Sequence, residues 1–138
     1  MKCQKLFSAM LLYIVMFIFI EHIIAPESVA NSKAEDYKRQ CINVNYENVV
    51  QNPDKYVGRD ITFICTVLVA EEAGSLAAYT LGQDKPGEVF GSPWNGVYKI
   101  KQGEKRLIEG DYIRVYGKFK GFAFVFPQIE IRYYKKLN

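Results

Sequence analysis

Cations and aromatic rings alternate late in this 138-residue chain, as Lys99 and Lys101 and then Tyr112, Arg114, Tyr116, Lys118 and Lys120. On an extended strand, residues two apart project from one face at about 7 Å spacing. Alternate cations can therefore track successive charges of an extended anionic chain while a tyrosine offers a flat stacking face. Single-stranded nucleic acid is held by this chemistry, and an anionic polymer of the cell envelope answers to the same field. The competing reading is a solvated wall, because strands favour Tyr and sheet edges favour Lys. Charge is unevenly divided: residues 31–96 carry six Lys/Arg against nine Asp/Glu, whereas residues 97–138 carry ten against four. The basic residues thus collect in the last third of the chain.

Trp94, the only tryptophan, falls in Gly91-Ser92-Pro93-Trp94-Asn95-Gly96, a turn composition. A ring there either contacts a ligand or folds back as a plug. Catalytic options are few. The one histidine, His22, precedes residues 31–138, which removes His triads, His acid–base pairs and His-ligated zinc from that stretch. Glu71 and Glu72 point apart on a strand end, and Glu109 and Asp111 flank Gly110 at a turn. The expectation is a binding module with no catalytic residue, cofactor or metal. The one enzymatic form the residues leave open is a barrel-type nuclease using carboxylates and arginine. Cys41 and Cys65 are the only thiols in residues 31–138. A disulfide between them would contribute about 3 kcal/mol in the chain-entropy model; alternatively, Cys65 is a small buried hydrophobe.

The amino end sets the expected compartment. Lys2 and Lys5 precede an apolar run over residues 6–20, and Ser28-Val29-Ala30 precede Asn31. This pattern predicts a signal peptide over residues 1–30, cut after Ala30. The alternative is an uncleaved anchor over residues 6–25, about 30 Å of helix. Either delivers the rest of the chain outside the cytoplasmic membrane, secreted or held there by the N-terminal segment. Residues 31–45, polar with scattered apolar positions, read as a flexible tether. Residues 46–138 then form one domain.

Its elements follow from hydrophobic periodicity. A short helix spans residues 46–50 and ends at Asn52-Pro53, because the residue before proline leaves the helical region. Residues 60–70 form the strongest strand, with Ile61, Phe63, Cys65, Val67 and Val69 on one face. Residues 76–81 and 97–101 are further strands, joined by a connection rich in Gly and Pro. Residues 111–120 alternate with Ile113, Val115, Gly117 and Phe119 inward and the Tyr/Arg/Lys row outward. The last strand carries Ile129, Ile131 and Tyr133 on its inner face.

The run Asn52-Pro53-Asp54-Lys55-Tyr56-Val57-Gly58-Arg59 after Tyr46, the run Gly110-Asp111-Tyr112-Ile113-Arg114-Val115-Tyr116-Gly117, and then Gly121 and Pro127 resemble the OB-fold domain of exported bacterial proteins, in the tRNA-anticodon-binding-like group. The resemblance covers residues 46–134. It implies an all-β fold, a five-stranded Greek-key barrel with one short N-terminal helix, binding through its face and surrounding loops, and it implies no reaction. The short connection over residues 102–109 stands where many such barrels hold a helix, so the helix of residues 46–50 becomes the candidate plug for that end. The expected partner is a protein or an anionic envelope polymer, with single-stranded nucleic acid as the alternative.

Overall fold

The computed structural model describes residues 29–83 and 93–138. The expected signal peptide or anchor, up to residue 28, and most of the Gly/Pro-rich connection before Trp94 lie outside the described residues. The chain divides into two compact units, one ending at Tyr37 and the other running from Lys38 to Asn138. Residues 29–40 are helical (α1), where a flexible tether was expected. Three of those residues belong to the second unit, which continues with β1 (Ile42–Asn43), α2 (Tyr46–Gln51) and α3 (Pro53–Tyr56). Among the described residues, no helix is long and apolar enough to cross a membrane.

Local chemistry explains the two short helices. The Asn45 side chain accepts the Asn48 N–H at 2.8 Å as an N-cap, satisfying a donor that the first helical turn leaves open. Pro53, which has no N–H to give, ends α2 and occupies the first turn of α3. Together they bury Val49 and Tyr56.

Five strands follow: β2 (Asp60–Ala73), β3 (Leu76–Gln83), β4 (Trp94–Lys99), β5 (Tyr112–Ala123) and β6 (Phe126–Lys136). β2, β3 and β4 form an antiparallel meander, β4 pairs in parallel with β6, and β6 pairs with β5. β5 returns to β2, from Asp60 opposite Lys118 to Thr66 opposite Tyr112. That last pairing closes a five-stranded mixed barrel of OB type, to which β1 adds a parallel edge strand on β2. Closure removes the exposed edges that an open sheet of these strands would leave.

The expected core residues Ile61, Phe63, Val67, Ile113, Val115, Phe119, Ile129 and Ile131 are all buried. The inward parity of the last strand shifts past Ile131. Gly117 pairs with Ile131 and Tyr116 with Tyr133, so Arg132 is an extra residue at a bulge. Tyr134 then packs against the core in place of Tyr133.

The barrel ends are sealed differently from expectation. β4 runs into residues 100–111 at one end, whereas α2 and α3 lead into the start of β2 at the other. The Tyr46 ring meets Trp94 edge-on at 5.9 Å, and the Gly58 N–H donates to the Phe119 carbonyl at 2.8 Å. The N-terminal helix therefore covers the end opposite the short connection. That connection seals its own end with Leu107, only 2% exposed.

Cys41 and Cys65 are both thiols, the former half-buried and the latter buried. Ile42 lies opposite Ile61. Cys65 is four residues further along β2, about 13 Å, and Cys41 lies beyond Ile42 on the far side. A disulfide needs Cα atoms within about 7 Å, so the fold does not allow the expected bridge.

Candidate polyanion-binding groove

The barrel splits the cation and aromatic row into two places. Lys99 lies on the outer face of β4 and Lys101 just past its end. With Lys120, Arg132 and Tyr133 they line a groove of about 670 Å³ whose apolar patches are Leu76 and Val97. Those two side chains are about half exposed, at 51% and 44%. The parallel pairing of Val97 with Glu130 brings β4 beside β6 and so assembles cations from three parts of the chain. Glu130 is the acidic member of the lining, and its carboxylate lies 3.8 Å from the Lys120 ammonium.

Arg114, Tyr116 and Lys118 lie on the outer face of β5, between β6 and β2 rather than on the β4–β6 groove. Their outward parity is as expected. Their availability is not, because each sits among other groups. Lys118 Nζ donates to the Gly58 carbonyl at 3.2 Å and lies 3.8 Å from Asp60. The Lys38 ammonium stands over the Tyr116 ring at 5.8 Å, and Arg114 is flanked by Ile64 and Lys135 in register. Tyr112 is held by the chain end: its carbonyl accepts the Leu137 N–H at 2.8 Å and its N–H donates to Asn138 Oδ1 at 3.2 Å.

Trp94 is no contact residue. It begins β4, is 1% exposed, and stacks on Phe63 with ring centroids 4.2 Å apart and planes 18° apart. Phe119 meets it edge-on at 6.1 Å. Gly96 explains how the turn-like sequence carries a strand: a Cβ there would come within 2.8 Å of the Ile131 side chain, so glycine permits close packing next to the indole.

Arg132 and Tyr133 were missed by reading the sequence. Tyr133 sits across from Tyr116, carries the Lys101 ammonium over its ring at 4.3 Å, and has Lys38 at 5.9 Å. These distances are within the range for cation–π attraction. The signal that could have found them is the basic and aromatic character of Arg132-Tyr133 itself, which the bulge displaces from simple alternation.

Three tyrosines, of which Tyr98 also lines the groove, stand toward the end closed by residues 100–111. Tyr98 donates to the Glu104 carboxylate and Tyr134 to the Lys105 carbonyl at 2.5 Å, with the two rings 5.2 Å apart. Burial, then the Glu104 hydrogen bond and charge, pushes the Tyr98 hydroxyl far up. Burial and then the Glu104 charge push Tyr134 up to about 12, and burial with Glu72 raises Tyr79. All three stay neutral at physiological pH, and Tyr98 and Tyr134 act as structural donors. At Asp111, burial opposes ionisation, but the hydrogen bonds from Lys136 and the Ile108 N–H outweigh it and hold the carboxyl below its ordinary range. Both contacts are 2.8 Å and fasten the connection to β5 and β6.

No protein-family model matches the chain, and no curated protein matches it. Among solved structures it is similar to an aspartyl-tRNA synthetase from Entamoeba histolytica, at 11% identity and a TM-score of 0.53 over 74% of this chain and 22% of that one. It is also similar to a replication protein A heterotrimer bound to ssDNA, at 21% identity and a TM-score of 0.43 over 59% of each chain. A third likeness is to the S. pombe Stn1–Ten1 complex, at 17% identity and a TM-score of 0.46 over 62% of this chain and 68% of that one. The chain thus spans less than two thirds of the length of the first two. At these identities the likeness is one of fold, and that fold is the OB barrel.

Proposed function

We propose that this domain is a non-catalytic binding module that takes an extended anionic polymer along the β4–β6 groove. The observation that carries the reading is the convergence of Lys99, Lys101, Lys120 and Arg132 on a single groove with an apolar patch of Leu76 and Val97. Cations spaced along such a channel neutralise a chain of charges without any base-specific contact. Carboxylates elsewhere on the barrel wall face cations, Asp60 with Lys118 and Asp111 with Lys136, which supports binding rather than hydrolysis.

The state of the rings favours a polymer without bases. Tyr133 lies under Lys101 and Lys38, Tyr116 under Lys38, and Trp94 is buried. A stacked base would have to displace an ammonium before it gained the about 1–3 kcal/mol that a ring offers. A leader that exports the domain would put anionic envelope polymers within its reach, and this is the partner we assign to it. Single-stranded nucleic acid is the second reading. It draws on the same cations.

Titration separates these readings. A fluorescent polyphosphate, a single-stranded oligonucleotide and the same oligonucleotide made abasic are each added at 50 and 200 mM salt. The expected result is binding of all three that weakens with salt, with the two oligonucleotides binding equally. Replacing Lys99, Lys101 and Arg132 by Ala should lower the slope of log K against log salt by about 2, from roughly 0.7 per lost phosphate contact. Clear preference for the oligonucleotide with bases would favour nucleic acid. No polyanion binding at 50 mM salt, or a triple variant with unchanged affinity, would remove the groove as a site and leave a protein partner.

A further inference from the structure

The β5–β6 turn has no role in the barrel or the groove. Ala123 pairs with Phe126, so Phe124 and Val125 form a two-residue hairpin loop. Phe124 is fully exposed and Val125 is 70% exposed, while Phe122 and Phe126 flank them as partly exposed rings. Among the described residues, Phe124 is also the only non-glycine residue with positive φ, at 57°. A turn with positive φ at its first central residue gives that place to glycine, because a β-carbon is strained there. Phenylalanine at this position therefore costs backbone strain, exposes a whole ring to water and makes no compensating buried contact. Neither folding nor solubility accounts for it, and strain held at an exposed position points outward to a contact partner.

The shape of the patch narrows the partner. The turn is a convex tip, anchored at its base by Phe122 meeting Phe119 edge-on at 5.8 Å. Val57 extends the apolar surface beside Gly121, where a Cβ would lie 3.9 Å from its methyl carbon. Below the tip stand Arg59, Lys118 and Lys120, with Asp60 and Glu130 as acidic neighbours. Lys120 and Glu130 stand 3.8 Å apart with about half of each side chain exposed, so a headgroup phosphate can reach the Lys120 ammonium. A convex aromatic tip above a collar of cations matches the layered chemistry of an anionic bilayer, with acyl chains for the rings and headgroup phosphates for the ammonium groups.

We propose that the turn formed by Phe122, Phe124, Val125 and Phe126 inserts into the interface of an anionic phospholipid bilayer and orients the barrel on the membrane. This holds whether or not the groove binds a polyanion.

The test places a reporter at the tip of the full chain, so that any membrane contact through residues 6–25 does not obscure the result. The Phe124→Trp variant is mixed with vesicles of equal phosphatidylglycerol and phosphatidylcholine, with and without brominated acyl chains, and the wild type supplies the Trp94 background. The expected result is a blue shift and strong quenching by the brominated chains, both weaker on pure phosphatidylcholine. A companion variant, Phe124→Gly, should melt no lower than wild type yet partition onto the anionic vesicles about tenfold less in a chain lacking residues 1–37, which precede the unit running from Lys38 to Asn138. If the added emission of the Phe124→Trp variant stays unshifted and unquenched on vesicles carrying the bound chain, the proposal is overturned. A Phe124→Gly variant that melts lower would also overturn it, because the ring would then be serving the fold.

Discussion

Trp94→Ala tests the barrel interior most directly. The indole is 1% exposed, stacked on Phe63 at 4.2 Å and edge-packed by Tyr46 and Phe119. Burying a tryptophan removes up to about 250 Å² from water, or roughly 6 kcal/mol at 25 cal/mol per Å², as an upper bound. Truncations of large aromatic residues cost about 3–5 kcal/mol, and loss of a stacked pair adds about 1. An expected loss of about 4–5 kcal/mol is from about a third to nearly all of the stability of a small domain, typically about 5–15. Urea unfolding followed by far-ultraviolet circular dichroism should show the midpoint fall by about 2–3 M for an m-value near 1.5–2 kcal/mol/M. Trp94→Phe retains a ring against Phe63 and should lose less than half as much. Wild-type fluorescence should be blue and insensitive to iodide. A Trp94→Ala variant within about 1 kcal/mol of wild type, or a red emission quenched by iodide, would return the ring to the barrel mouth and refute the packing argument.

Asp111→Asn should destabilise by about 1–3 kcal/mol at pH 7, since it removes the negative charge that pairs with the Lys136 ammonium and weakens the acceptor of the Ile108 N–H. The Asp111 carboxyl is held below its ordinary value when folded. Its contribution is therefore complete above the unfolded value near 3.9 and is lost as pH falls through the lowered one, so urea midpoints of the two proteins should converge only below about pH 4. Leu107→Ala should cost about 2–4 kcal/mol by thermal unfolding, although it lies in a connection without regular structure, because its side chain is buried at the barrel end. A shift below about 0.5 kcal/mol would mean that the tyrosines alone close that end.

What the sequence discloses is the alternation within single strands. Ile113, Val115 and Phe119 face inward and Arg114, Tyr116 and Lys118 outward because a strand has a period of two whatever its neighbours. The sequence does not disclose the neighbours. Trp94 lay next to Gly, Pro and Asn, whose local preference is a turn, and pairing with Leu81 on β3 overrode that preference. The polar residues before Cys41 gave no apolar stripe, and residues 29–40 are helical all the same. For the cysteines, chain separation allowed a bridge that the parallel register of Ile42 with Ile61 forbids.

The groove was hidden for the same reason, compounded by a single glycine. A side chain at Gly117 would collide with the Glu130 carbonyl, so its absence lets β6 approach β5 closely at the bulge. The bulge inserts Arg132 and turns Tyr133 outward opposite Tyr116, while Tyr134 goes in against the core. Without that one-residue slip, Tyr133 would keep the inward parity of Ile129 and Ile131, and Lys101 would have no ring beneath it. Alternation along β6 thus predicts the wrong face for the residue on which the groove's closest cation–π contact rests. The groove depends on two long-range events, the parallel contact of β4 with β6 and the slip beside Gly117, and neither has a local signature in composition or period.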